Sequence, residues 1–174
     1  MRPARHWLAA TVMLAALAFA GRAGAQVLDP IQYALFTHSD LGYGCDGTCA
    51  CPFVFTGPLT GTFTFYRTGI DPLFTHYALL NILWSYPVPG TGKFATVTGH
   101  GTYDIGGEFA LSQRMQLDVT TDGVLQQHFD SGVVPAPVAF PNIDIVLSIN
   151  GFKCYDTVIH LKASPATTAV IRQY

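Results

Sequence analysis

The chain has 174 residues, of which 49% are hydrophobic and only 11% charged, with a formal net charge of −2. Arg2, Arg5 and Arg22 fall within residues 1–25, so the 149 residues beyond carry six cations against 11 acidic side chains, a formal charge of −5. Those cations, Arg67, Lys93, Arg114, Lys153, Lys162 and Arg172, are scattered and form no basic stripe for a phosphate backbone, which excludes nucleic acid as an expected partner.

Residues 1–25 read as a secretory signal peptide. Arg2 and Arg5 precede an apolar run over 7–20, and Ala23-Gly24-Ala25 supplies a small-x-small cleavage site, so the mature chain is expected to begin at Gln26. The protein is therefore expected to be exported: secreted, periplasmic or on the cell surface. No cysteine directly follows the cleavage site, which gives no sign of a lipid anchor, and the two arginines are not adjacent, which argues against twin-arginine export of a preloaded cofactor. Past the leader no stretch approaches the roughly 18 apolar residues of a spanning helix. The best, 77–86, is broken by Asn81 and Ser85.

Residues 26–174 match the commonest size of a single domain. From residue 60 onward hydrophobicity alternates with period two between Gly, Pro, Asn and Asp punctuation, which predicts strands rather than helices. The expected strands are 31–37, 60–67, 74–86, 93–98, 102–105, 108–120, 124–130, 142–149 and 152–162. Short links between them imply antiparallel neighbours. The expected fold is all-β, one antiparallel meander-rich sandwich or closed barrel of about eight to ten strands.

The cysteine cluster comes first among the chemical signals. Cys45, Cys49 and Cys51 lie close together and Cys154 is distant. In an oxidising compartment four cysteines predict two disulfides, for which three pairings exist. A direct Cys49 to Cys51 bridge would be strained, so Cys45 is expected to pair with one of the two and Cys154 with the other. Such a long-range bridge closes a loop of about 100 residues, for which the chain-entropy model gives roughly 4 to 5 kcal/mol. Tetrahedral zinc on four thiolates is the alternative, disfavoured because structural zinc sites show two spaced pairs. No C-x-x-C redox motif is present.

His100 lies between Gly99 and Gly101, which reads as a turn or bulge. Farther on, alternation over 108–120 puts Phe109, Leu111, Met115, Leu117 and Val119 on one face, and the opposite face is polar. A three-residue loop at 121–123 sets Val119 against Leu125, Met115 against Phe129 and Arg114 against Asp130, matching apolar with apolar and charge with charge. A two-residue Asp122-Gly123 loop would mix the faces. His128 and Asp130, at i and i+2, have the spacing of half a metal site, but this register gives Asp130 to Arg114 and leaves His128 beside Gln116. Residues 131–141 contain three prolines and read as an apolar loop tucked onto the core, with a lid or contact surface as the alternative.

At Asn150-Gly151 a type I′ hairpin is expected, pairing Leu147 with Cys154 and Ile145 with Asp156. That register turns Cys154 and Asp156 inward. Asp156 and His160, four apart on one strand face, are then the only acid and base that can be placed near the core, as weak pocket candidates. A buried carboxylate needs donors, which backbone amides or tyrosine hydroxyls can supply without any catalytic role. No G-x-S-x-G elbow, H-E-x-x-H helix or phosphate loop is present, so no catalytic residue, cofactor or metal is assigned. The aromatics Phe63, Phe65, Tyr66, Tyr77, Trp84, Tyr86 and Tyr103 read as packing residues rather than a ligand strip.

The functional expectation is an exported non-catalytic β domain acting in binding, adhesion or envelope structure, with a protein or glycan partner. Two alternatives stand beside it. One is a barrel carrying a small apolar ligand, and the other an enzyme using an inward Asp156 and His160. An outer-membrane barrel is a further structural possibility, disfavoured by the short strands, the prolines and the cysteine-fastened loop.

Overall fold

The computed structural model describes residues 30–44, 55–109 and 111–166. Its strands are β1 (Ile31–Leu35), β2 (Asp40–Gly44), β3 (Phe55–Pro58), β4 (Thr60–Ile70), β5 (Phe74–Pro87), β6 (Phe94–Gly106), β7 (Ser112–Thr121), β8 (Leu125–Asp130), β9 (Val134–Pro135), β10 (Ile143–Ser148) and β11 (Asp156–Pro165). All pairings are antiparallel, and the order β1-β4-β5-β6-β7-β8-β10-β11 returns from β11 to β1. The meander is thus one ring-closed sheet, a barrel rather than a sandwich. β1 and β2 run along β11 as one interrupted strand, and β3 extends the same arrangement beside β2.

Alternation explains the layering. Phe63, Phe65, Leu79, Trp84, Val97, Tyr103, Met115, Leu117, Phe129, Ile145, Leu147 and Leu161 come from seven strands and are all buried in one interior cluster. The intervening positions face outward and carry the charges. Successive connections alternate between the two barrel ends. Residues 71–73, 107–109 and 131–142 lie at one end, here the proline-loop end, and residues 88–93, 122–124 and 149–155 at the other.

Of the turn or bulge expected around the glycines at 99 and 101, a bulge forms and a turn does not. β6 runs through them without a break, and the bulge lies opposite, in β5, where Leu80 and Asn81 face the single residue His100. Asn81 takes the left-handed conformation (φ 54°) that such a bulge uses. Gly99 is required for close approach: a Cβ there would sit 2.2 Å from the Asp118 carbonyl oxygen of β7.

The β7–β8 hairpin keeps the expected matching of faces but shifts by two residues, with Leu117 opposite Phe129 and Gln116 opposite Asp130. Asp122 and Gly123 both have positive φ and the Val124 amide donates to the Thr121 carbonyl, as in a two-residue turn. Val124 is then inserted before the ladder resumes at Thr121 and Leu125. The extra residue restores the apolar pairing that an Asp-Gly turn alone would have broken.

The expected Asn150-Gly151 hairpin does not form. β10 meets β11 with Ser148 opposite Val158 and Leu147 opposite Ile159, leaving 149–155 as a longer loop. Cys154 lies in that loop and is exposed rather than turned inward. Asp156 is buried, as expected, but against its own loop and not opposite Ile145. Cys45, Cys49 and Cys51 lie outside the described residues.

Candidate functional site

The Asp156 carboxylate is consumed by the chain around it. The Ser148 hydroxyl and the backbone amides of Ile149, Asn150, Phe152 and Thr157 all donate to it, the amides at 2.7–3.2 Å. A carboxylate that gathers four amides fixes a loop and has little capacity left for a substrate. His160 is exposed and pairs across the sheet with Asp40. No hydrogen bond joins Asp156 to His160 among the described residues, and neither lines the two surface hollows below.

The first hollow is a shallow basin of about 470 Å³ on the outer wall, lined by Thr98, His100, Asp118, Thr120, Gln126 and His128 among others. It follows from register. His100 of β6 lies opposite Asp118 of β7, and Asp118 lies opposite His128 of β8, so the three form one row across three strands. His128 Nδ1 and Asp118 Oδ1 are 2.8 Å apart, an exposed pair, so His128 faces Asp118 and not Gln116 as expected. The row is hidden in the sequence because the expected register sets Gln116, not Asp118, opposite His128. Among the described residues no three His, Cys, Asp or Glu side chains form a group able to hold a metal ion.

A second row crosses the same wall nearer the proline-loop end. His76 Nδ1 lies 2.6 Å from Asp104 and its Nε2 lies 3.0 Å from Asp71. Asp104 stands opposite Arg114, whose guanidinium forks onto Asp130 at 2.6 and 3.2 Å. The expected Arg114–Asp130 pair therefore forms, on the diagonal. Hydrogen bonds donated to the carboxylates of Asp104 and then Asp71 raise the His76 pKa. Hydrogen bonding to Arg114 holds the Asp130 carboxyl below the usual range.

The second hollow is a cleft of about 200 Å³ where the ring is least complete. β8 meets β10 at a single register pair, Asp130 with Ser148, while β9 turns back along β7. Gln113, buried on β7, spans the gap. Its Nε2 donates to the carbonyls of Asp144 (2.7 Å) and Pro135 (3.4 Å), and its Oε1 accepts from the Tyr103 hydroxyl (3.0 Å). Val134, Pro135, Pro137, Val146 and Phe152 give the cleft an apolar lining.

Inside the barrel, beneath the proline loop, lies an aromatic stack. Tyr33, Phe65, Tyr103 and Tyr77 follow one another at centroid separations of 4.7–6.2 Å, and Phe140 of the loop covers Tyr77 at 5.5 Å. The loop is tucked onto the core, as its composition predicts. The Tyr33 hydroxyl and Trp84 Nε1 are buried without a hydrogen-bond partner among the described residues. Burial raises the pKa of Tyr33, Tyr77 and Tyr103, and the neighbouring tyrosines raise those of Tyr33 and Tyr103 further.

Comparison of the chain with protein-family models, with curated proteins and with solved structures finds no match in any of the three.

Proposed function

We propose that the chain is an exported, non-catalytic barrel that binds a hydroxyl-rich ligand, a glycan, at the outer basin formed by β6, β7 and β8. The observation that carries this reading is the row His100, Asp118, His128 with Gln126, Thr98 and Thr120 around it. It combines donors and acceptors on adjacent strands of a rigid wall, which suits multiple hydroxyl contacts. The consumption of Asp156 by its loop weighs against the enzyme reading. Charged residues on the outer wall and aromatics within weigh against an outer-membrane barrel, which carries its apolar band outside.

Export through residues 1–25 and two disulfides among Cys45, Cys49, Cys51 and Cys154 complete the proposal. Gly44 ends its strand opposite Asp156, so Cys45 directly follows one strand end and Cys154 stands two residues before the facing one, which favours a bridge between the two segments. NMR titration with a panel of neutral mono- and disaccharides tests the binding reading. Shifts confined to the basin and lost in Asp118→Ala support it, and a panel that shifts no basin residue defeats it.

A second reading, a carrier of a small apolar ligand inside the barrel, is favoured by the unpartnered Tyr33 hydroxyl within the aromatic stack.

A further inference from the structure

Asn150-Gly151, marked in the sequence as a hairpin turn, sits instead in the exposed 149–155 loop. The backbone on either side of Gly151 is pinned. The amides of Ile149 and Asn150 donate to Asp156 Oδ1 at 3.2 and 2.9 Å, and that of Phe152 donates to Asp156 Oδ2 at 2.8 Å and to the Ser148 hydroxyl oxygen at 2.9 Å. The Gly151 amide between them makes no hydrogen bond among the described residues, and neither does the Asn150 side chain, which is exposed. Gly151 has φ 69°, and the place a Cβ would take has nothing within 4 Å.

An asparagine followed by glycine carries an electrophile and a nucleophile in one short stretch of chain. Joining the side-chain carbonyl carbon to the next backbone nitrogen closes a five-membered ring, and glycine has no side chain to crowd the closure. A hydrogen bond on the following amide, an engaged side chain or burial would oppose it. None of these protects residues 150 and 151. The other two asparagines of the chain make the contrast. Asn81 and Asn142 precede Ile82 and Ile143, buried residues paired in ladders, whose branched side chains crowd the amide that would have to attack.

We propose that Asn150 is a modification site at which the folded chain deamidates, with water as co-reactant, and that the change loosens the loop gathered by Asp156. Hydroxide takes the Gly151 amide proton, the nitrogen bonds to the Asn150 side-chain carbonyl carbon, and the former side-chain nitrogen leaves as ammonia after gaining a proton from water. Water then opens the succinimide at either carbonyl, leaving aspartate or isoaspartate at 150. Either product puts a negative charge on the residue whose own amide donates to the Asp156 carboxylate. Isoaspartate also adds a main-chain carbon between the Asn150 and Phe152 amides, which Asp156 holds on its two oxygens. Like charge and a lengthened span both oppose the present set of bonds.

The test holds the purified, folded chain in warm, mildly alkaline buffer and follows it by peptide mass mapping. A gain of one mass unit at Asn150 is expected, about tenfold faster than at Asn81 or Asn142. Asn150→Gln, which would have to close a larger ring, is expected to keep the fold and abolish the gain at this position. In the aged protein the Phe152 amide is expected to exchange with solvent about tenfold faster than in fresh protein, with β5 and β6 at unchanged protection. Conversion at Asn150 no faster than at the other two asparagines, or seen only after denaturation, overturns the site. Conversion that leaves the exchange of Phe152 unaltered overturns the loosening of the loop.

Discussion

The wall from β4 to β7 and the wall from β8 through β11 to β1 and β2 follow the same alternating pattern, yet they are held together differently. β4, β5, β6 and β7 are 10–14 residues long and zip together over most of their length. Apart from β11, the other wall is made of strands of five or six residues, and buried side chains supply bonds where its ladders stop. Ser39, between β1 and β2, donates to the Lys162 carbonyl and accepts the Lys162 amide. Ser131, just past β8, accepts the Met115 amide while its own amide donates to the Met115 carbonyl. Gln113 laces β9 to β10, and Asp156 with Ser148 gathers the 149–155 loop. Five of the six buried polar residues among the described ones, Ser39, Gln113, Ser131, Ser148 and Asp156, act at such interruptions. Buried polar side chains here mark the places where the backbone alone could not satisfy itself.

The contrast can be broken at its mended points. Asp156→Ala should have the largest effect, about 3 kcal/mol, because it removes the buried acceptor that four amides and the Ser148 hydroxyl share, and only Ile149, through the Thr157 carbonyl, and Phe152, through the Ser148 oxygen, keep a second partner among these. Chemical denaturation measures the loss. Gln113→Leu should cost about 2 to 3 kcal/mol by leaving the Asp144 carbonyl and the Tyr103 hydroxyl unpaired. Ser131→Ala should cost about 1 kcal/mol in the same assay, through the single Met115 amide it frees. On the regular wall Arg114→Ala should cost only about 0.5 kcal/mol, since the pair with Asp130 is partly solvated.

The smallest effect is on pH dependence. The raised His76 pKa means that its contribution is complete below the ordinary imidazole value and fades as pH rises through the raised one. Asp71 is lowered by the amides of Phe74 and Leu73 and then by His76, so its contribution holds above its ordinary value and fades as pH falls through the lowered one. Thermal melts from pH 5 to 9 should show a slight decline on the alkaline side for the wild type, flattened in His76→Gln.

Legibility in the sequence follows the same division. The strands of the regular wall are visible because their alternation is long, although the glycines at 99 and 101 split β6 in two on paper. β2, Asp-Leu-Gly-Tyr-Gly, does not read as a strand, because Gly42 and Gly44 sit opposite Val158 and Asp156 where larger side chains would alternate. β3 is short and ends in a proline, and β2 is its one partner in the ladder order, so neither length nor pattern announces it. An inward Asp156 was readable from the cost of the alternatives. The amides that satisfy it were not, because they come from a loop whose course the carboxylate itself dictates. The basin row was equally hidden, since it exists only through a register shifted by the inserted Val124.

Amide hydrogen exchange on the wild type and Gln113→Leu tests the side-chain lacing of the barrel most directly. Faster exchange in β10, with β5 and β6 at wild-type protection, is the predicted result. Unchanged protection in β10, or an equal loss in β5 and β6, would contradict it.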